Sequence, residues 1–181
     1  CNFVDNKATG DYSYGGAIYI YSGTVTNCNF TDNTASDWGG AIRMYSGTVS
    51  NCNFTNNTAS GDGGAVLLFN NGEVTNCNFT GNTATGDGGA INMGSGTVSN
   101  CNFADNTAGD WGGAVFFMNT GNVSNCNFTG NNATIGSAIY FYSTSATKTV
   151  SNSRFLNNRA NAEALEITKN GNNITITFTG R

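Results

Sequence analysis

Residues 77–100 read CNFTGNTATGDGGAINMGSGTVSN, and the chain is built from variations on this stretch. It opens on Cys77-Asn78-Phe79, passes Asn82, reaches Gly88-Gly89-Ala90-Ile91 and closes on Val98 before Asn100. Its apolar residues alternate in short sets, as in Ile91/Met93, with Gly, Asn, Ser and Asp between them. Alternation at period two belongs to a strand, whereas a helix would need 3.6. Working outward, Cys-Asn-Phe recurs at Cys1, Cys28, Cys52, Cys77, Cys101 and Cys126, and Ser153-Arg154-Phe155 is a degenerate seventh copy. The intervals are 27, 24, 25, 24, 25 and 27 residues. Phe-x-x-Asn occurs in all seven copies, and Gly-Gly-Ala-(Ile/Val) begins at Gly15, Gly39, Gly63, Gly88 and Gly112, with Gly136-Ser137-Ala138-Ile139 as a variant.

A repeat of this length with three short strands predicts one coil of a parallel β-solenoid per copy, with coils stacked ~4.8 Å apart. The expected fold is all-β: residues 1–181 as a single right-handed β-helix domain of about seven coils of 24–27 residues, starting near 1, 28, 52, 77, 101, 126 and 153. The right hand follows from the handedness of parallel crossovers. Equivalent residues should form ladders. Phe, Val and Ile/Val ladders are expected inside, with Asn ladders at the corners, where Asn tolerates left-handed backbone angles and its amide can bond the next one. A polar turn should follow Phe-x-x-Asn, and a second turn should separate the Ile segment from the strand around Val25, Val49, Val74, Val98, Val123 and Val150. The Gly pair should mark a tight entry into the longest strand. The last coil is divergent but strand-like, through Leu165/Ile167 and Ile174, Ile176 and Phe178.

Composition narrows the chemistry. The net charge of −4 offers no basic patch for nucleic acid, and no apolar run approaches the ~18 residues of a membrane span. With no His there is neither a Ser-His-Asp triad nor a His-ligated metal site, and no cofactor is expected. Polysaccharide chemistry on a β-helix needs carboxylates with basic residues in a cleft, and only Lys7 and Arg43 precede Lys148, so no enzyme is expected.

The paired signature Phe-x-x-Asn and Gly-Gly-Ala-Ile resembles the repeat of chlamydial polymorphic outer-membrane proteins. Similar repeats occur in adhesin-like and sheath surface proteins of methanogenic archaea. The resemblance implies an extracellular right-handed β-helix at a cell surface or envelope, and no single activity. The chlamydial proteins also carry a membrane-inserted C-terminal barrel. This chain has none, so membrane insertion is not expected.

The six Cys occupy one equivalent position in consecutive coils and should form a column. Three states are open to it: a thiol ladder of small hydrophobes, the pairs Cys1–Cys28, Cys52–Cys77 and Cys101–Cys126, or links between subunits through Cys1 and Cys126. Asp37, Asp62, Asp87 and Asp110 precede successive Gly pairs and could hold Ca²⁺, although Asp is also a turn residue and its register drifts by one position. Sequons stand at Asn29, Asn53, Asn56, Asn78, Asn122, Asn127, Asn132 and Asn173. The Thr/Ser pairs flanking the Val column suggest the flat arrays of ice-binding solenoids, but Glu73 and Asn122 interrupt them.

Alternation with Ile18 and Ile20 inside turns Ala17, Tyr19 and Tyr21 outward. The same register puts Tyr45, Leu67, Phe69, Phe116, Met118, Tyr140 and Tyr142 outside, beside Arg43 and Asn92. An exposed aromatic strip of this kind marks an interaction surface, either a lateral protein interface or a platform for glycan. The ends differ in charge: residues 1–147 hold nine acids and two bases, residues 148–181 two acids and five bases. Head-to-tail contact is therefore expected, with Cys1 and Asn2 meeting Lys148, Arg154, Arg159, Lys169 and Arg181 of the next copy. The functional expectation is an extracellular structural subunit that assembles with copies of itself into a sheath, surface layer or filament. An adhesin module binding host receptor or glycan is the alternative, and a polysaccharide-active enzyme the remote one.

Overall fold

The computed structural model describes residues 1–144 and 147–161, all strand and turn, with no helix among them. The predicted late strand through Leu165, Ile167, Ile174, Ile176 and Phe178 lies outside the described residues, as do Lys169, Arg181 and the sequon at Asn173.

Three parallel sheets run along the molecule. The first stacks seven three-residue strands, from Asn2–Val4 through Asn78–Thr80 to Arg154–Leu156. The second stacks seven two-residue strands, from Lys7–Ala8 through Thr83–Ala84 to Arg159–Ala160. The segment after Phe-x-x-Asn is therefore a short strand, not only the polar turn expected. The third, long sheet holds Ile18–Thr26, Ile42–Ser50, Val66–Thr75 and Ile91–Ser99. In these four coils the Ile segment and the Val segment form one continuous strand, with no turn between them. The expected second turn exists only in the next two coils, where Val115–Phe117 and Gly121–Ser124, then Ile139–Phe141 and Lys148–Ser151, are separate.

The fused strand solves a parity problem. Met44 and Val49 both point inward, yet Val49 lies five positions on, and strict alternation would put them on opposite faces. Gly47, at φ +149°, absorbs the change, and a Cβ there would collide with the Gly23 carbonyl one coil back. The Gly pairs do what the sequence predicted by two separate means. Gly39 needs a positive φ of +70°, while Gly40 has no room, because a Cβ would strike the carbonyls of Gly64 and Thr58.

The core consists of ladders. Phe3, Phe30, Phe54, Phe79, Phe103, Phe128 and Phe155 stack with centroids 4.7–5.0 Å apart and planes within 5°. In-register strand spacing imposes this face-to-face geometry. The Val column pairs Val25 with Val49, Val74, Val98, Val123 and Val150 in order. The Ala ahead of each Ile turns inward too, which corrects the outward assignment of Ala17. Both the Ala17 and Ile18 N–H groups donate to the Ala41 carbonyl, so both side chains face the core cluster.

The Asn residues divide the two roles expected of one corner ladder. Left-handed angles belong to the Asn before each Cys, such as Asn76 at φ +53°, and to the residue just before the Asn of Phe-x-x-Asn, such as Asn56 at φ +54°. The Asn of Phe-x-x-Asn is instead buried, and its amide forms the ladder. Asn82 Nδ2 donates to Asn106 Oδ1 (3.0 Å) and to the Phe54 carbonyl (3.1 Å), while its Oδ1 accepts from Asn57 Nδ2 (2.9 Å) and the Asn57 N–H (3.0 Å). A third, exposed ladder joins the Asn after each Cys, as in Asn78 Nδ2 to Asn53 Oδ1 at 2.9 Å. The sequon residues Asn29, Asn53, Asn78 and Asn127 all lie in it.

Candidate binding face

The Cys column is one of free thiols: Cys1 is exposed and the other five are buried. Each buried thiol donates to a carbonyl two residues back, as Cys77 Sγ does to Thr75 at 3.2 Å. Contact with Cys77 and then burial push the Cys52 thiol far up, and contacts with Cys126 and Cys77 together with burial do the same to Cys101. The same contacts act in the opposite direction on their partners: Cys101 and then Cys52 lower Cys77, and Cys101 lowers Cys126.

The acidic residues before the Gly pairs act as backbone acceptors. Asp37 Oδ2 takes the Ser13 N–H (3.0 Å), Asp62 Oδ1 the Asp87 N–H (2.9 Å) and Asp87 Oδ1 the Trp111 N–H (3.2 Å), each tying one coil to its neighbour. Among the described residues no group of three or more acidic or Cys side chains could hold a metal ion. Burial raises Asp62, and burial with the negative charge of Asp62 pushes Asp87 up to about 6.

The long sheet carries the outward aromatic strip, but in three parallel columns that alternation alone did not separate. The column before the Gly pair runs Tyr14, Trp38, Asp62, Asp87, Trp111, Ile135. The first outward column is Tyr19, Arg43, Leu67, Asn92, Phe116, Tyr140, paired in register. Beyond it lie Tyr21, Tyr45, Phe69, Gly94, Met118 and Tyr142. Tyr21 stacks on Tyr45 at 4.7 Å and Tyr45 on Phe69 at 5.5 Å, while Trp111 stacks on Tyr140 at 5.3 Å and on Tyr142 at 5.7 Å. The Arg43 guanidinium lies 4.8 Å from the ring centres of both Tyr14 and Tyr19.

Tyr19, Tyr21, Phe69, Met118 and Tyr142 are exposed, as expected of an interface, while Tyr45 and Tyr140 are half-buried. Leu67 and Phe116 are not accessible: both point away from the coil interior, yet they retain only 4% and 2% of their exposure. Trp111 covers Phe116 from the turn before the Gly pair, at 6.3 Å between rings. Nothing in the spacing marks this cover, because a turn carries no periodicity to say which surface its side chains lie on. Among the described residues, those expected at the end-to-end contact lie in the first and the last coils. Cys1, Asn2, Arg154 and Arg159 are exposed on terminal strands, and Lys148 is half-buried against Gly121.

Where the columns pass the third and fourth coils, a cavity of about 160 Å³ opens. Trp38 and Phe116 stand at its ends, Asp62 and Asp87 along one side, Phe69 on the other, and Asn92 in the floor.

Comparison with curated proteins and with solved structures matched none. A family model described as the right handed beta helix region matches residues 17–179, nearly the full length. The parallel three-sheet coil, its hand and its one-coil repeat are those of this model, and the chain belongs to the right-handed β-helix family.

Proposed function

We propose that the chain is a non-enzymatic module of an extracellular, cell-surface or envelope protein, and that it works by binding through the outer aromatic face of its long sheet. The observation that carries this reading is the set of stacked outward rings. Tyr21, Tyr45 and Phe69 are held in register by the sheet beneath them, yet Tyr21 and Phe69 remain more than half exposed. Preorganised, exposed aromatic area is an interaction surface. The likeness of the repeat to chlamydial and archaeal surface proteins supports the location. Asp62 and Asp87 each commit an oxygen to a backbone N–H, and no basic residue lines the cavity beside them, which speaks against acid/base catalysis.

Copies of the chain are the first partner that the sequence suggests, as a sheath, surface layer or filament. Lateral packing between copies favours a self-complementary strip. Here the strip is broken by a cavity in its middle, which suits a separate ligand such as a glycan or host surface better. Beads coated with the full chain should adhere to surfaces bearing dextran or mannan. The double substitution Tyr21→Ser/Tyr45→Ser should cut adhesion several-fold without changing the circular dichroism. Adhesion indifferent to that substitution, or release of reducing ends from the polysaccharide, would sink the reading. Adhesion confined to other chain-coated beads would favour the self-assembling structural role.

A further inference from the structure

The fourth coil breaks all three outward columns at once. Aromatic Trp38 and Trp111 flank acidic Asp62 and Asp87, Asn92 stands between Leu67 and Phe116, and Gly94 stands between Phe69 and Met118. Gly94 has a backbone reason, since a Cβ there would strike the carbonyls of Phe69 and Asn70. Nothing in the packing requires an amide at position 92, where the neighbouring coils place Leu and Phe. The Asn92 residue is only 7% exposed, faces the cavity, and makes no hydrogen bond with its side chain among the described residues. Its polar atoms are not sealed inside the packing, so the amide is open to an occupant of the cavity. The carboxylates beside it are also incompletely used. Asp62 and Asp87 each accept one backbone N–H through Oδ1 and leave Oδ2 without a donor among the described residues.

These groups specify a ligand. Carboxylates only accept hydrogen bonds, whereas an amide both donates and accepts. An occupant must therefore offer donors and acceptors side by side, together with an apolar surface for Trp38, Phe69 and Phe116. Adjacent hydroxyl groups on a ring with a C–H face meet this description. An ammonium ion would suit the carboxylates, the aromatic rings and the Asn92 carbonyl, but it offers donors only and would leave the Asn92 N–H groups without an acceptor. An acidic sugar would meet two carboxylates and be repelled. The volume, about 160 Å³, is below that of drug-sized sites and suits one ring rather than a chain.

We propose that this cavity binds one uncharged pyranose unit, with Asn92, Asp62 and Asp87 taking its hydroxyl groups and Trp38 and Phe69 its carbon face. The assignment rests on the reading that the long sheet's outer face is the binding face, and it names the ligand class of that face.

The test is an NMR titration of the full chain with the methyl glycosides of glucose, galactose and mannose, with methyl glucuronide and tetramethylammonium as competitors in kind. At least one uncharged glycoside should shift the Trp38 indole and Asn92 amide resonances saturably, with a Kd on the order of 1–10 mM for a single ring. Asn92→Leu, which installs the residue present one coil earlier at position 67, should weaken binding at least tenfold while the melting temperature is kept or raised. Binding should weaken as pH falls through about 6, where Asp87 takes up a proton, and Asp87→Asn should flatten that dependence. The proposal is overturned if no uncharged glycoside shifts these signals at roughly 50 mM, if Asn92→Leu binds as the parent does, or if only tetramethylammonium binds. Adhesion that still depends on Tyr21 and Tyr45 would then leave the binding face standing without its sugar site. Loss of both would remove the face as well.

Discussion

A single interior Asn shows how far one side chain can be committed. Asn82 makes four hydrogen bonds with its amide, two donated and two accepted, all to neighbouring coils and all out of water. Removing it takes the acceptor from the Asn57 N–H and amide and a donor from the Phe54 carbonyl, all one coil back, and a donor from Asn106 Oδ1 one coil on, and each orphaned group costs about 1–3 kcal/mol. Asn82→Ala should therefore destabilise the chain by roughly 3 kcal/mol or more, as much as truncating the stacked Phe79 beside it, for which about 3–5 kcal/mol is expected. Chemical denaturation of the two variants checks this. A loss under ~1 kcal/mol for Asn82→Ala would mean that the amide column is decoration on an apolar core. The position of Asn82 was legible in the sequence because Phe-x-x-Asn recurs seven times. Its burial was not, because a recurring Asn reads equally as a corner residue, and only the chain path puts it inside.

Among the elements, the turn before each Gly pair carries the strongest electrostatic signal. Asp62 and Asp87 sit one above the other on successive turns, half-buried, and burial disfavours their ionised forms, with added repulsion from Asp110 on Asp62 and from Asp62 and Asp110 on Asp87. In the unfolded chain the Asp87 carboxyl has its ordinary value near 3.8, and in the folded chain about 6. The folded state thus binds more protons between those values, and stability must fall as pH rises through that window. The contribution is complete below about 3.8 and lost above about 6. Thermal melts from pH 4 to 7 should show a declining Tm, and Asp87→Asn should remove much of the decline. A Tm that climbs with pH across this range would contradict the placement of these carboxylates. In the same elements the Gly pairs could be read from sequence as tight points. That Trp111 lies back over Phe116 could not, since turn residues carry no periodicity to say which surface they cover.

For the whole molecule, stability comes from repetition: each inner coil among the described residues pairs with the coils on either side, and the Cys column threads the stack from Cys1 to Cys126. The five inner thiols are closed off from solvent by the stack, which keeps a reagent away from them. Brief alkylation of the native chain should label Cys1 and spare the other five, and denaturation should expose all six. Mass spectrometry counts the labels. Two fewer thiols for each bridge in the denatured count would restore the paired arrangement and tie adjacent coils covalently.

The repeat by itself determined the coil, the parallel stacking and the identity of the core ladders. Its period of 24–27 residues and its alternating apolar positions are one-dimensional signals that fix which residues lie above one another. It also determined that Tyr19, Tyr21 and Phe69 face outward, since alternation within one strand is a local property. Only the tertiary structure decided that the Ile and Val segments fuse across Gly47, that Ala17 turns inward, and that Leu67 and Phe116 are covered while Asn92 is left unpaired in a cavity. Those outcomes depend on how a turn from one part of a coil lies over a strand from another. Such contacts are set by three-dimensional packing, and spacing along the chain does not encode them.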